Sequence, residues 1–137
     1  EAAKQAQEQP KPEREQVAYG DPDPVDPVKA EIAYDDFAAM DMRVCKVLKC
    51  QEICKSHSCY KLTLSDGLDK RTIVSSIKAY YTPEELIGKK IIVLANLKPT
   101  RITGVTSEGM LLAATNNACG CKVIFVDDTV PEGTKIL

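Results

Sequence analysis

Apolar residues recur along the chain in short runs with strand-like alternation. "MRVCKVLKCQEI", from Met42, sets Val44, Lys46, Leu48 and Cys50 on one side and Arg43, Cys45, Val47 and Lys49 on the other. This predicts a long strand with a bulge. "CYKLTLSDG" puts Tyr60, Leu62 and Leu64 on one face and ends at Asp66-Gly67. "KRTIVSSI" opposes Thr72, Val74 and Ser76 to Ile73, Ser75 and Ile77. "KKIIVLANL", "EGMLLAAT" and "CKVIFVDD" complete a set of six short strands. Between the third and the fourth, "TPEELIG" predicts a compact helix, with Thr82 as N-cap, Pro83 at the first helical position and Gly88 as the stop. Upstream, Asp35 or Asp36 is expected to cap a short turn carrying Phe37 and Met40 inward. Six strands, one mid-chain helix and no internal repeat predict an all-β domain. The arrangement is that of an OB-fold: a closed Greek-key barrel with a short helix between the third and fourth strands.

The domain is expected over residues 32–137. Residues 1–31 read as a Pro/Glu-rich linker, largely disordered, with Pro10, Pro12, Pro22, Pro24 and Pro27 and few apolar groups. One connection stands out. "NLKPTRITGVTSEGM", Asn96 to Met110, is longer than a tight hairpin turn requires.

Composition narrows the chemistry. The 137 residues suffice for one domain with a core. No apolar run approaches the roughly 20 residues that span a bilayer, so no membrane partner is expected. The first residues contain no apolar signal region, and the chain lacks an initiator Met, as a fragment or a processed chain would. Six cysteines are present, at spacings without the C-x2-C pairs of zinc sites. They are expected as reduced thiols in a cytoplasmic protein, several of them small buried hydrophobes, with no metal. Net charge is −2, yet residues 76–106 hold Lys78, Lys89, Lys90, Lys98 and Arg101 against Glu84 and Glu85 only. No Ser-His-Asp arrangement or phosphate-cradling glycine loop occurs, so neither enzyme activity nor a cofactor is expected of this segment.

The residues of "DFAAMDMRV", "RTIVSSI", "YYTPEELIGKKIIVLANLKP" and "GVTSEGMLLAA" closely resemble the tRNA-binding domain of the endothelial monocyte-activating polypeptide II type. That family includes free tRNA-binding proteins and the C-terminal domain of many methionyl-tRNA synthetases. The resemblance covers about Ile32 to Leu137. It implies an OB-fold that binds tRNA with little regard for anticodon, appended to a synthetase (methionyl first). It also implies a homodimer and possible company in a multi-synthetase complex. Carried over, its tRNA contacts fall on Ser75, Asn96, Lys98, Arg101, Ser107 and Met110. The alternative it implies is a cytokine-like signalling fragment, whose segment corresponds to Arg43–Lys49. This chain departs from the family at His57, Ser58 and Ser76, where many members have Asp, Lys and Gly.

The chemistry of these residue types fits RNA. Lys98, Arg101, Lys89 and Lys90 are candidates for phosphate neutralisation, and so few contacts imply affinity on the order of micromolar. Asn96 offers a donor and an acceptor in one plane, for a base edge or a 2′-hydroxyl, or else for closing a turn. Ser75 and Ser107 add small donors. Met110 is either a polarisable platform for a base or a core residue next to Leu111. Gly109 is expected to let a ligand backbone approach.

Overall fold

The computed structural model describes residues 19–137; residues 1–18, the greater part of the expected linker, lie outside the described residues. One long strand organises the domain. β1 (Met42–Glu52) pairs antiparallel with both β4 (Lys90–Leu94) and β2 (Tyr60–Ser65). Its first half, Met42 to Lys46, lies on β4, and its second half, Lys46 to Glu52, on β2. The expected bulge falls between Val47 and Lys49. A bulge bends its strand and adds twist, so β1 serves both halves of a curled sheet. It also explains the slipped alternation: Cys45 and Val47 face the core before it, and Cys50 packs against the core after it.

β3 (Lys70–Ser75) pairs with β2, while β10 (Phe125–Val126) and β7 (Met110–Leu111) pair with β4, giving the order β10-β4-β1-β2-β3. The inward positions Leu62, Leu64, Ile73, Ile91 and Val93 are fully buried. Helix α1 (Tyr34–Ala38) precedes β1, and α2 (Pro83–Leu86) lies between β3 and β4, inserting Leu86 into the core. The Glu85 carboxylate accepts the N–H of Thr82 at 2.7 Å, the return half of a capping box. The fold is the OB-like one expected.

Several details differ from the sequence pattern. The long polar connection carries a hairpin of its own, β5 (Thr100–Ile102) and β6 (Val105–Ser107). Thr103 and Gly104 turn it with φ of 49° and 85°, both left-handed, as a two-residue type I′ turn requires. "EGMLLAAT" divides into β7 and β8 (Ala113–Asn116), and β8 pairs with β9 (Gly120–Val123) as a separate hairpin. Phe37 is half-buried, but Met40 is 45% exposed rather than inward, because α1 is only five residues long and buries none of them.

The ladder does not run all the way round. The sheet is a curled half-barrel, and the free edge of β3 meets residues 107–109 through one backbone bond and the side chains of Ser107 and Glu108. The Glu108 N–H donates to the Thr72 carbonyl at 2.8 Å, and the Glu108 carboxylate accepts the Thr72 N–H at 2.9 Å. The Ser107 hydroxyl accepts the Val74 N–H at 2.9 Å and donates to the Gly109 carbonyl at 3.1 Å. Arg71 rivets this seam. Its Nε donates to Asp66 at 3.0 Å, and its Nη1 donates to the carbonyls of Ala95 (2.9 Å) and Glu108 (2.6 Å). Asp66 is buried and also accepts the N–H groups of Leu68 and Asp69. Burial alone would raise its carboxyl. The two N–H donors and the Arg71 guanidinium outweigh that and hold it below the usual carboxylate range.

Residues 20–23 of the expected linker are docked. The Gly20 N–H donates to the Asn117 carbonyl at 3.1 Å, and Asn117 Nδ2 donates to the Asp21 carbonyl at 2.9 Å. The Asp23 N–H donates to Asn116 Oδ1 at 3.1 Å, and the Asp23 carboxylate accepts the Asn117 N–H at 3.0 Å. A Cβ at Gly20 would sit 2.4 Å from Asn117 Nδ2, so a side chain there would displace the Asn117 amide from the Asp21 carbonyl. Beyond this clamp Val25 and Val28 are almost fully exposed. Cys45 and Cys59 are buried and Cys54 is exposed. Burial pushes the Cys45 thiol up to about 11 and the Cys50 thiol up to about 12.

Arg71→Ala strips Asp66 of its counter-charge and leaves two carbonyls without a donor. We expect a loss of about 2–4 kcal/mol, read as a lower denaturant midpoint at unchanged slope. Because the Asp66 carboxyl is held low in the fold, its contribution is present above about pH 4 and fades as pH falls further, so the stability gap between wild type and variant should shrink in acid.

Candidate nucleic-acid interface

A groove of about 720 Å³ runs along the open edge of β3. One wall is Val74 to Ile77; the others come from the β4–β5 connection, β7, β8 and Cys121. Its lining is mainly aliphatic, with Leu97, Ile102, Met110 and Ile124 beside the hydroxyls of Ser75, Ser76, Thr100 and Thr115. Such a surface offers a flat apolar contact to a base and small donors and acceptors to its edge.

Four of the expected residues meet there: Ser75, Lys98, Ser107 and Met110. Met110 is 49% exposed at the groove while its neighbour Leu111 is 6% exposed, so Met110 is not a core residue. Lys98 is exposed, and its ammonium has no partner among the described residues. Ser75 closes β3, opposite Tyr60. Ser107 is in place but differently employed. It is 4% exposed, and its hydroxyl is spent on the seam, holding Val74 and Gly109. Gly109 also turns inward: a Cβ there would meet the Leu94 carbonyl at 2.9 Å, so the backbone it admits is that of β4.

Asn96 and Arg101 stand outside the lining of the groove. The Asn96 Oδ1 accepts the Asp41 N–H at 2.9 Å and its Nδ2 donates to the Ala39 carbonyl at 2.7 Å. It ties the entry to β1 onto the exit of β4, closing a long-range joint rather than its own turn. Arg101 is exposed on β5, with Nη2 donating to the Gly104 carbonyl at 2.8 Å. Its guanidinium makes no other hydrogen bond among the described residues.

Lys90 opens β4, four steps from Leu94, or about 14 Å at roughly 3.4 Å per residue, and Lys89 immediately precedes it. Lys90 Nζ donates to the carbonyls of Asp128 (2.8 Å) and Val130 (2.6 Å), fastening the loop after β10. Lys89 is exposed. Sequence reasoning did not single out Arg71, which positions the groove's edge, nor Leu97 and Ile102, which line it. The last two carried a signal, being apolar residues in an otherwise polar stretch. Among the described residues no three His, Cys, Asp or Glu side chains gather to hold a metal ion.

Replacing Asn96 with Ala should cost stability, about 1–2 kcal/mol for two backbone groups left unmet, whether or not RNA is present. Thermal unfolding of the free protein checks this; an unchanged midpoint with weakened RNA binding would make Asn96 a contact instead.

The family model of a putative tRNA binding domain matches residues 42–135. The methionine–tRNA ligase of Bacteroides fragilis is 42% identical over 110 residues, covering 80% of this chain. The chain spans only 16% of that ligase's length. A solved MetRS-related protein from Pyrococcus horikoshii superposes with a TM-score of 0.76 at 36% identity, covering 80% of this chain and all of that one. The chaperone CsaA from Bacillus anthracis superposes at 0.71 with 28% identity, covering 79% of this chain and all of its own. With the family model matched across every strand of the sheet, the chain belongs to the putative tRNA-binding domain family.

Proposed function

We propose that this non-catalytic domain holds tRNA for a catalytic unit on the same polypeptide, a methionyl-tRNA synthetase in the first instance, in the cytoplasm. The observation that carries the reading is the groove, where Ser75, Met110 and the unpaired Lys98 meet in a chain of this family. Similarity to one domain of methionine–tRNA ligases supports the choice of parent. The mechanism is tethering. A weak second contact keeps tRNA near the catalytic part and raises its effective concentration, gaining overall affinity without new chemistry. Bases rest on Met110 and the aliphatic walls, their edges meet the serine and threonine hydroxyls, and Lys98 and Arg101 neutralise phosphates. None of these contacts reads a defined base pattern, which suits a domain indifferent to anticodon.

The double substitution Lys98→Ala with Arg101→Ala should weaken binding of bulk tRNA. It should also flatten the slope of log affinity against log salt by about 1.5, at roughly 0.7–0.9 per lost phosphate contact. Absence of any tRNA binding by the unsubstituted chain at low salt would sink the proposal.

The proposal extends to a homodimer, with other synthetases as further company. Ile32, Tyr34 and Met40 are exposed apolar side chains near one another in sequence, the kind of surface that a second copy covers. Sedimentation equilibrium at tens of micromolar should give twice the chain mass; a monomer mass removes this part. The signalling alternative is left without support. Its segment, Arg43–Lys49, lies within the central strand, where Val44, Cys45 and Val47 are buried and Arg43 is paired with Asp41 at 2.7 Å.

A further inference from the structure

We propose that the cavity walled by Tyr19, Tyr80, Tyr81 and Phe125, with the Glu85 carboxylate in its lining, binds the head group of a small alkylated ammonium ion. The site lies apart from the RNA groove and does not rest on the tRNA-binding reading. Its volume is about 240 Å³, room for one head group rather than for a large ligand. The chain has five Tyr, two Phe and no Trp, and four of those seven rings line this one cavity. None of them lines the groove, whose walls are mainly aliphatic. Core filling does not account for the gathering, since Tyr19 and Tyr80 are only half-buried and Phe125 is 38% exposed.

Three segments assemble the site. "YYTPEELIG" supplies Tyr80, Tyr81 and Glu85, β10 supplies Phe125, and the chain leading into the docked residues supplies Tyr19. The N–H groups of Tyr80 and Tyr81 both donate to the Ile77 carbonyl, at 2.9 and 3.2 Å, which fixes the turn that presents the two rings. The Tyr81 and Phe125 rings stand 5.9 Å apart at 83°, making a corner. Tyr19 and Tyr80 close over Gly120. A Cβ there would lie 2.6 Å from a Cε1 atom of each ring, so the bare backbone of Gly120 is what admits both. Aromatic faces carry partial negative charge, and several around one space attract a weakly hydrated organic cation. Glu85 adds a full charge. Its carboxylate is held in place by the Thr82 N–H at 2.7 Å and the Thr82 hydroxyl at 3.2 Å. Burial pushes the Tyr81 phenol up, outweighing the Val123 N–H that it accepts, and Glu85 pushes the same way, so this ring stays neutral. Lys122 is the basic residue of the lining. It is exposed, and alternation along β9 sets it opposite the inward Cys121 and Val123. It therefore stands at the rim and opposes an arriving cation.

The test is choline binding to the whole chain, followed by NMR through the amide shifts of residues 80–85 and 120–125. Choline is compared with its uncharged isostere, in which carbon replaces the nitrogen. Choline should bind with a dissociation constant on the order of millimolar, about fivefold tighter than the isostere. Tyr19→Leu with Tyr80→Leu keeps apolar bulk, removes two ring faces and should erase most of that preference. Glu85→Gln keeps the capping box and should weaken choline about threefold without moving the isostere. Lys122→Ala should tighten choline about twofold. A short peptide with one trimethylated lysine is the second arm. Tighter binding than choline places the head group on a protein partner, and looser binding places it on a free small molecule. Equal binding of choline and isostere, or no choline binding at tens of millimolar, overturns the proposal. So does a preference that survives the leucine pair. Should that pair unfold, Glu85→Gln and Lys122→Ala decide through their opposite signs, and no change in either refutes the site.

Discussion

The open side of the sheet is held by one guanidinium. Where β3 would need a laddered neighbour to complete a barrel, Arg71 instead joins the β2–β3 turn at Asp66, the end of β4 at Ala95 and the β6–β7 connection at Glu108. A planar fork with several fixed donors is the side chain for that task, since one group bonds three segments at once. The groove exists because of it. A laddered strand against β3 would occupy the space where Ser75, Met110 and Lys98 now converge. Edge strands are normally paired, covered or blunted. Here the edge is covered only over Thr72 and Val74, and the part beyond them becomes a wall of the candidate site.

Much of the fold was legible from pattern. Alternation located β1 to β4, and Thr82-Pro83 with Gly88 bounded α2, because each signal is local. Two features were not. The β5–β6 hairpin hides in polar residues, and its turn depends on Thr103 adopting a left-handed φ, which residue type alone does not announce. The split of "EGMLLAAT" follows from β7 and β8 choosing different partners, a tertiary decision that no window of sequence contains.

The site was half legible, for a reason visible in its polar groups. Residue chemistry names what a side chain can donate or accept, and only the fold says to whom. Asn96, Ser107 and Lys90 all have the right chemistry for RNA, and each spends it on backbone groups of this chain. Buried or half-buried backbone groups must be met, and a nearby amide, hydroxyl or ammonium meets them first. The resemblance to the family brought Asn96 and Ser107 together with Lys98 and Met110 because a positioning residue and a contact residue look alike in a motif; Lys90 was a candidate by its charge alone.

The same division bears on strength. Once Asn96, Ser107 and Lys90 are assigned to the fold, the groove retains few cations of its own, chiefly Lys98 with Arg101 nearby. Electrostatic contacts supply most of the nonspecific affinity for nucleic acid, so so small a set supports only loose capture. Loose capture suits the tethered auxiliary proposed above better than a stand-alone binder, because a tether multiplies a weak contact. The docked linker adds direction to that tether. Four hydrogen bonds fix residues 20–23 to the Asn116–Asn117 turn, at the end of the hairpin whose Thr115 and Cys121 line the groove. Residues 20–23 therefore meet the domain beside the groove.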